Sequence, residues 1–153
     1  MNPETEREVW TRVLAPGQMT AEEALLPERL ETLISLEQRN AAELRAVSPR
    51  LSGQDRAAFL RMAARDEARA AELRAMHYLL TGRRLRLSGR AEPLPRDLPE
   101  ALRALWLRRR EMARSYAELS RDFSAYAETF DRLSAETRRQ MEQISAALRG
   151  RLG

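Results

Sequence analysis

The chain of 153 residues contains no cysteine, no lysine and a single histidine, His77; glycine is limited to six positions and aromatics to 5%. Each shortage excludes something. Without cysteine there are no disulfides, zinc–thiolate sites, iron–sulfur clusters or rubredoxin-type electron centres held by this chain. A Ser-His-Asp set would have to be completed around His77 alone, and nothing in the spacing brings a serine and an acid to it. Glycine-rich phosphate loops and the nucleophile-elbow pattern are also missing. No window approaches the ~18 consecutive apolar residues of a membrane-spanning helix. The stretch "MNPETEREVW" has neither the basic start nor the apolar run of a secretory leader. The expectation is a soluble cytoplasmic protein without membrane attachment.

What remains is a chain of Ala, Leu, Arg and Glu, 43% hydrophobic and 33% charged, the composition of helix-rich proteins. All 27 basic residues are arginine, set against 23 acids, for a net charge of +4. Guanidinium forks suit phosphate, and Arg83/Arg84/Arg86/Arg90 and Arg108/Arg109/Arg110 form clusters. Acids are interspersed throughout, however, and no aromatics alternate with the clusters. The pattern reads as an ordinary charged surface with Arg in place of Lys, and nucleic acid is not the expected partner.

Periodicity divides the chain into residues 1–27, a short amphipathic helix with its linker, and residues 28–150, a helical bundle forming one domain with it. Val9, Trp10, Val13 and Leu14 mark the short helix, ended by "APG" at 15–17. A first long helix spans about 28–47, with Leu30, Leu33, Ile34, Glu37, Ala41 and Leu44 on one stripe. After the break "SPRLSG", a second runs to Gly82, with Phe59/Leu60, Ala63, Glu67, Ala70/Ala71 and Tyr78 on one face. The stretch "RRLRLSGRAEPLPRDLP" reads as a long extended crossover. A third helix starts at Pro99 and carries Leu102, Leu105, Trp106, Met112, Tyr116 and Leu119. After a bend near "SRDFSAY", a fourth carries Phe130, Leu133, Thr137, Met141, Ile144 and Leu148. The fold class is therefore all-α: a four-helix bundle of two hairpins joined by a long crossover, plus the short N-terminal helix.

On "LISLEQRNAAEL", "AARDEARAAELRAMHYLLTG", "RRREMARSYAEL" and "FDRLSAETRRQMEQI", residues 28–150 resemble the ferritin-like superfamily, most nearly its small rubrerythrin-like bundles. The resemblance implies an interior di-iron or di-manganese site, with a Glu from one helix of each pair and a Glu-x-x-His from the other. Carried over by position, Glu37 is the first-helix ligand and Glu67 the first acid of the second-helix motif, with Ala70 where its histidine belongs. Glu111 is the third-helix candidate, although the apolar stripe turns Arg109 or Met112 inward. On the fourth helix two registers compete, Glu136 with Arg139 and Thr137 with Gln140. No register supplies a histidine. His77 lies ten residues beyond Glu67, near the helix C-terminus, and is expected to be partly exposed there.

Two acids on interior faces, Glu37 and Glu67, require partners, and Arg109, Arg74 or the Tyr116 hydroxyl are candidates. The expectation is a ferritin-like member without di-metal chemistry and without a cofactor, a non-enzymatic helical module that binds a protein partner or forms a homodimer. The alternative is a metal-dependent oxidoreductase of the rubrerythrin type, using iron or manganese in a carboxylate-rich site of Glu37, Glu67, Glu111 and Glu136.

Overall fold

A computed structural model describes residues 21–86 and 90–152. The short helix expected around Trp10 lies outside them. Four long helices account for most of the described chain: α1 (Ala21–Val47), α2 (Gly53–Thr81), α3 (Leu98–Asp122) and α4 (Ala127–Leu152). One-turn 3-10 segments, Ser48–Arg50 and Ser124–Tyr126, close the two hairpins. Among the described residues the architecture is all-helical, as expected.

The ends of the helices follow local chemistry. α1 begins earlier than its apolar stripe, because "AEEALL" consists of strong helix formers, and it continues through Pro27, an interior position at which proline donates no backbone hydrogen bond. α2 stops at Gly82, which adopts φ 70 and donates its N–H to the Tyr78 carbonyl at 2.7 Å. α3 is capped by Asp97, whose carboxylate accepts from the Glu100 N–H at 3.1 Å, with Pro99 in the first turn. Phe123, buried at the end of α3, anchors the bend into α4.

The interior divides into two apolar clusters. The first gathers Ala41, Leu44, Val47, Leu51, Phe59, Met62, Ala63, Leu102, Leu105 and Ile144. The second gathers Leu26, Leu30, Ile34, Leu73, Met112, Tyr116, Leu119, Phe130 and Leu133. Tracing each helix from one cluster to the other fixes the direction of the chain. α1 runs from the second cluster to the first and α2 returns; α3 also runs from the first to the second, and α4 returns. α2 and α3 are therefore parallel, and the link between them has to travel the length of the bundle, about 37 Å for a helix the size of α3.

That link is attached at both ends. Leu85 packs on the second cluster and Leu94 on the first. Between them Glu43, fully buried on α1, ion-pairs with Arg108 and accepts the Glu92 N–H at 3.3 Å. Arg39 holds the Glu92 carboxylate at 3.2 Å, and Arg50 donates to the carbonyls of Pro95 and Arg96. Glu43 thus joins α1, α3 and the crossover at one buried point. Glu43→Ala should cost ~1–3 kcal/mol by stranding Arg108 and the Glu92 amide. It should also accelerate tryptic cleavage at Arg90 and Arg96 more than global unfolding does; equal acceleration at sites throughout the chain would show that the crossover is not held there.

Candidate functional site

Between the two apolar clusters lies a layer of charge. Glu37 contributes from α1, Asp66 and Arg69 from α2, Arg109 from α3 and Gln140 from α4, and all five are at most 5% exposed. Each lies at a stripe position one or two turns from the apolar residues on either side. The helix rotations that bury Ile34 on α1 and Leu105 on α3 therefore bury Glu37 and Arg109 as well, and burial without partners would be costly.

The partners are mutual. Arg69 reaches Glu37 through Nε at 2.8 Å, and through Nη2 it donates to Asp66 and to Gln140 Oε1, the latter at 2.8 Å. Arg109 donates from Nη2 to Asp66 Oδ2 at 2.7 Å, from Nε to Gln140 Oε1 at 3.3 Å and from Nη1 to its own helix at the Leu105 carbonyl. Gln140 Nε2 returns a bond to Asp66 Oδ1 at 3.0 Å. One amide thereby bridges two guanidiniums and a carboxylate. Thr137, also fully buried, donates to the Leu133 carbonyl of its own helix at 2.8 Å.

The two acids are solvated unequally by the protein. Asp66 accepts from Arg69, Arg109 and Gln140. At ordinary hydrogen-bond geometry Glu37 accepts only from Arg69, and the Tyr116 hydroxyl meets its carboxyl through a weaker contact. Burial accordingly dominates at Glu37 and, with the Asp66 charge, outweighs Arg69 and Arg109: its carboxyl is pushed up to about 8. Burial also raises the Tyr116 phenol well above its ordinary value, and the Glu37 carboxylate adds to the shift. Protonation of Glu37 is therefore favoured well above the usual carboxylate range. The remaining positive charge is met at the rim by Glu136, 3.6 Å from Arg69 Nη1 and 15% exposed. Partial burial opposes ionisation of Glu136, but bonds and charge from Arg65, Arg69 and Arg132 hold it below the usual carboxylate value.

The residues expected to form a site are thus dispersed. Glu37 is interior, as its stripe position indicated. Glu67 is corrected: it is 53% exposed and pairs on the surface with Arg45 at 2.5 Å, which lowers its carboxyl. The inward face of α2 runs one residue earlier, through Phe59, Met62, Asp66, Arg69, Leu73 and His77, leaving Leu60 and Tyr78 outside. Two charged residues on that stripe hid it from a reading based on hydrophobic periodicity. Arg69, and not Ala70, follows the interior acid by three residues. Glu111 is 70% exposed and paired with Arg114, while Arg109 and Met112 turn inward. On α4 the Thr137/Gln140 register is the interior one, with Glu136 at the edge and Arg139 outside. His77, expected to be partly exposed, is buried; its Nε2 lies 3.4 Å from Glu31, and Thr81 covers its Nδ1 at 3.3 Å. Among the described residues no group of three or more His, Cys, Asp or Glu could hold a metal ion. The donor set around Glu37 is one of guanidiniums, which repel cations, so the residues present do not fit an iron or manganese pair.

No family model, curated protein or solved structure matches this chain.

Two measurements test this layer. Arg69→Met removes the donor to Glu37 and one of the three donors to Asp66, and should destabilise the fold by ~3–5 kcal/mol in chemical denaturation. For Glu37, the folded carboxyl holds its proton at a higher pH than the unfolded one. The folded state therefore binds more protons between the ordinary value of 4.5 and about 8. Stability should fall as pH rises through that window, with a slope of at most about 1.4 kcal/mol per pH unit. Glu37→Gln should remove that slope, and an unchanged profile in this variant would assign it to another group.

Proposed function

We propose that the protein is a ferritin-like bundle in which an internal salt-bridge layer stands where di-metal chemistry would be, and that it works as a non-catalytic binding or self-associating module. The observation that carries this reading is the register of the layer. Within the layer itself, one helix of each hairpin contributes one ion-paired residue, Glu37 on α1 and Arg109 on α3, while Asn40 and Glu43 are also buried further along α1. The other offers an i, i+3 pair, Asp66/Arg69 on α2 and Thr137/Gln140 on α4. That is the spacing scheme of the carboxylate-bridged bundles, one acid against an acid-x-x-histidine. Here arginine stands at one single-acid position and at one histidine position. Guanidinium cannot lose its proton in a protein and cannot act as a metal ligand, but it can supply the positive charge that such an interior needs.

The parallel α2 and α3 and the full-length crossover support the same reading, since a single long crossover is the connection used in ferritin-like bundles. A binding role is favoured by large apolar side chains left outside. Leu25 on α1 and Tyr78 and Leu79 on α2 are each about half exposed, at the same end of the hairpin.

Elemental analysis decides between this reading and a metal-dependent oxidoreductase. Protein purified without chelator and challenged anaerobically with Fe²⁺ and Mn²⁺ should retain no stoichiometric metal and gain no thermal stability. About two ions per chain would overturn the proposal. The register itself is tested by Asp66→Glu, Arg69→His, Arg109→Glu, Thr137→Glu and Gln140→His combined, which recreate the full ligand scheme. The combined variant should gain metal on loading; a folded variant that gains none places the ancestral register elsewhere.

A further inference from the structure

A cleft opens between α2 and α4 on the rim of the charged layer, with a volume of about 280 Å³. Arg61 and Arg65 line it from α2, and Arg139 and Gln143 from α4. Arg69 and Gln140 form its floor, and Ala58 and Met62 one wall. Glu136 is its one acid. The cleft therefore holds four guanidiniums against a single carboxylate, in a protein whose charges are otherwise nearly balanced.

That carboxylate is already committed. Glu136 accepts from Arg65 at 2.9 Å and from Arg132 at 3.3 Å, besides facing Arg69 Nη1 at 3.6 Å. Neither Arg61 nor Arg139 forms an ion pair or side-chain hydrogen bond among the described residues. At the floor, the Nε and Nη2 groups of Arg69 are bound within the layer, while Nη1 makes no hydrogen bond and faces the cleft. Arg69 cannot withdraw, because Glu37, Asp66 and Gln140 fix its plane. A rigid, largely buried donor and two unpaired guanidiniums line the same cleft, and guanidiniums grouped in this way can bind tetrahedral oxyanions bidentately.

We propose that this cleft between α2 and α4 is a binding site for a phosphate group, of a small phosphorylated compound or of inorganic phosphate itself. Arg61 and Arg139 clasp the anion, and Arg69 Nη1 meets it from the floor. Met62 and Ala58 leave room for a small apolar portion beside it. Neither arginine cluster conspicuous in the sequence takes part.

The test is isothermal titration of the intact protein with inorganic phosphate, pyrophosphate and a phosphate monoester such as phenyl phosphate, at constant ionic strength set with chloride. Saturable binding of at least one of these is expected, weakened at least tenfold in Arg61→Gln/Arg139→Gln. Both side chains are exposed, so the double variant should fold with an unchanged Tm in the absence of anion. Glu136→Gln should tighten binding severalfold by removing the one competing carboxylate, an outcome opposite to that of any metal site built on this residue. Tighter binding of phenyl phosphate than of phosphate identifies a phosphorylated compound as the ligand, and the reverse identifies the free anion. No saturable binding, or binding unaltered in the double variant, overturns the proposal. So does salt-steep binding of a short oligonucleotide without binding of any small phosphate, which would make the surface a nucleic-acid contact.

Discussion

Two arginines held out of water, Arg69 and Arg109, constrain everything around them. A guanidinium in a low-dielectric interior persists only when anions and acceptors occupy its fork from several directions. In this bundle those directions belong to different helices. Glu37 arrives on α1, Asp66 on α2 and Gln140 on α4, so the layer forms only when both hairpins are docked in one register. A one-residue rotation of α1 would put Leu36 or Gln38 in place of Glu37, and one of α2 would carry Asp66 and Arg69 off the layer. The apolar clusters above and below provide the burial, and the layer between them selects one packing from several that burial alone would accept.

The same arrangement bears on chemistry. A carboxylate-lined bundle interior concentrates negative charge and attracts cations. Replacing part of that lining with guanidinium reverses the attraction while leaving the helices and their spacing in place. The charge deficit that follows is distributed: Glu37 keeps its proton up to about pH 8, and Glu136 at the rim remains ionised under the influence of Arg65, Arg69 and Arg132. Guanidinium lines the interior, and the opening beside Glu136 is where we propose that an anion binds. The proposed phosphate site and the proposed loss of metal chemistry are thus two effects of one change in sign, although each rests on its own residues.

Much of the fold could be read from the chain. Leu30, Ile34 and Leu44 on α1 and Leu102, Leu105 and Leu119 on α3 are spaced so that only a helix puts them on one side, and all are buried. Proline-rich "AEPLPRD" forms no helix, and Gly82 supplies the left-handed residue that ends α2. The candidate site was only half legible. Glu37 stood out because an acid interrupts an otherwise apolar stripe. Asp66 and Arg69 did not, because α2 is rich in alanine on every side and its apolar residues define the inward direction weakly. A difference of one residue, about 100° of rotation, exchanged Glu67 for Asp66 and Ala70 for Arg69. The run Phe59, Met62, Asp66, Arg69, Leu73, His77 carried the needed signal in its alternating three- and four-residue steps.

The amino-acid sequence by itself determined the four helices, the glycine and proline signals at most of their ends and the need for a long crossover, because these depend on propensity, capping and spacing along one segment; the start of α1 at Ala21, ahead of the expected 28, was not among them. Only the tertiary structure decided which acids face inward and what neutralises them. Glu37 and Glu67 are equivalent as local sequence, each an acid on a helix rich in alanine and leucine; one is surrounded by guanidinium and protonates near pH 8, while the other pairs with Arg45 in water. That difference comes from the rotation of each helix against the others with which it packs.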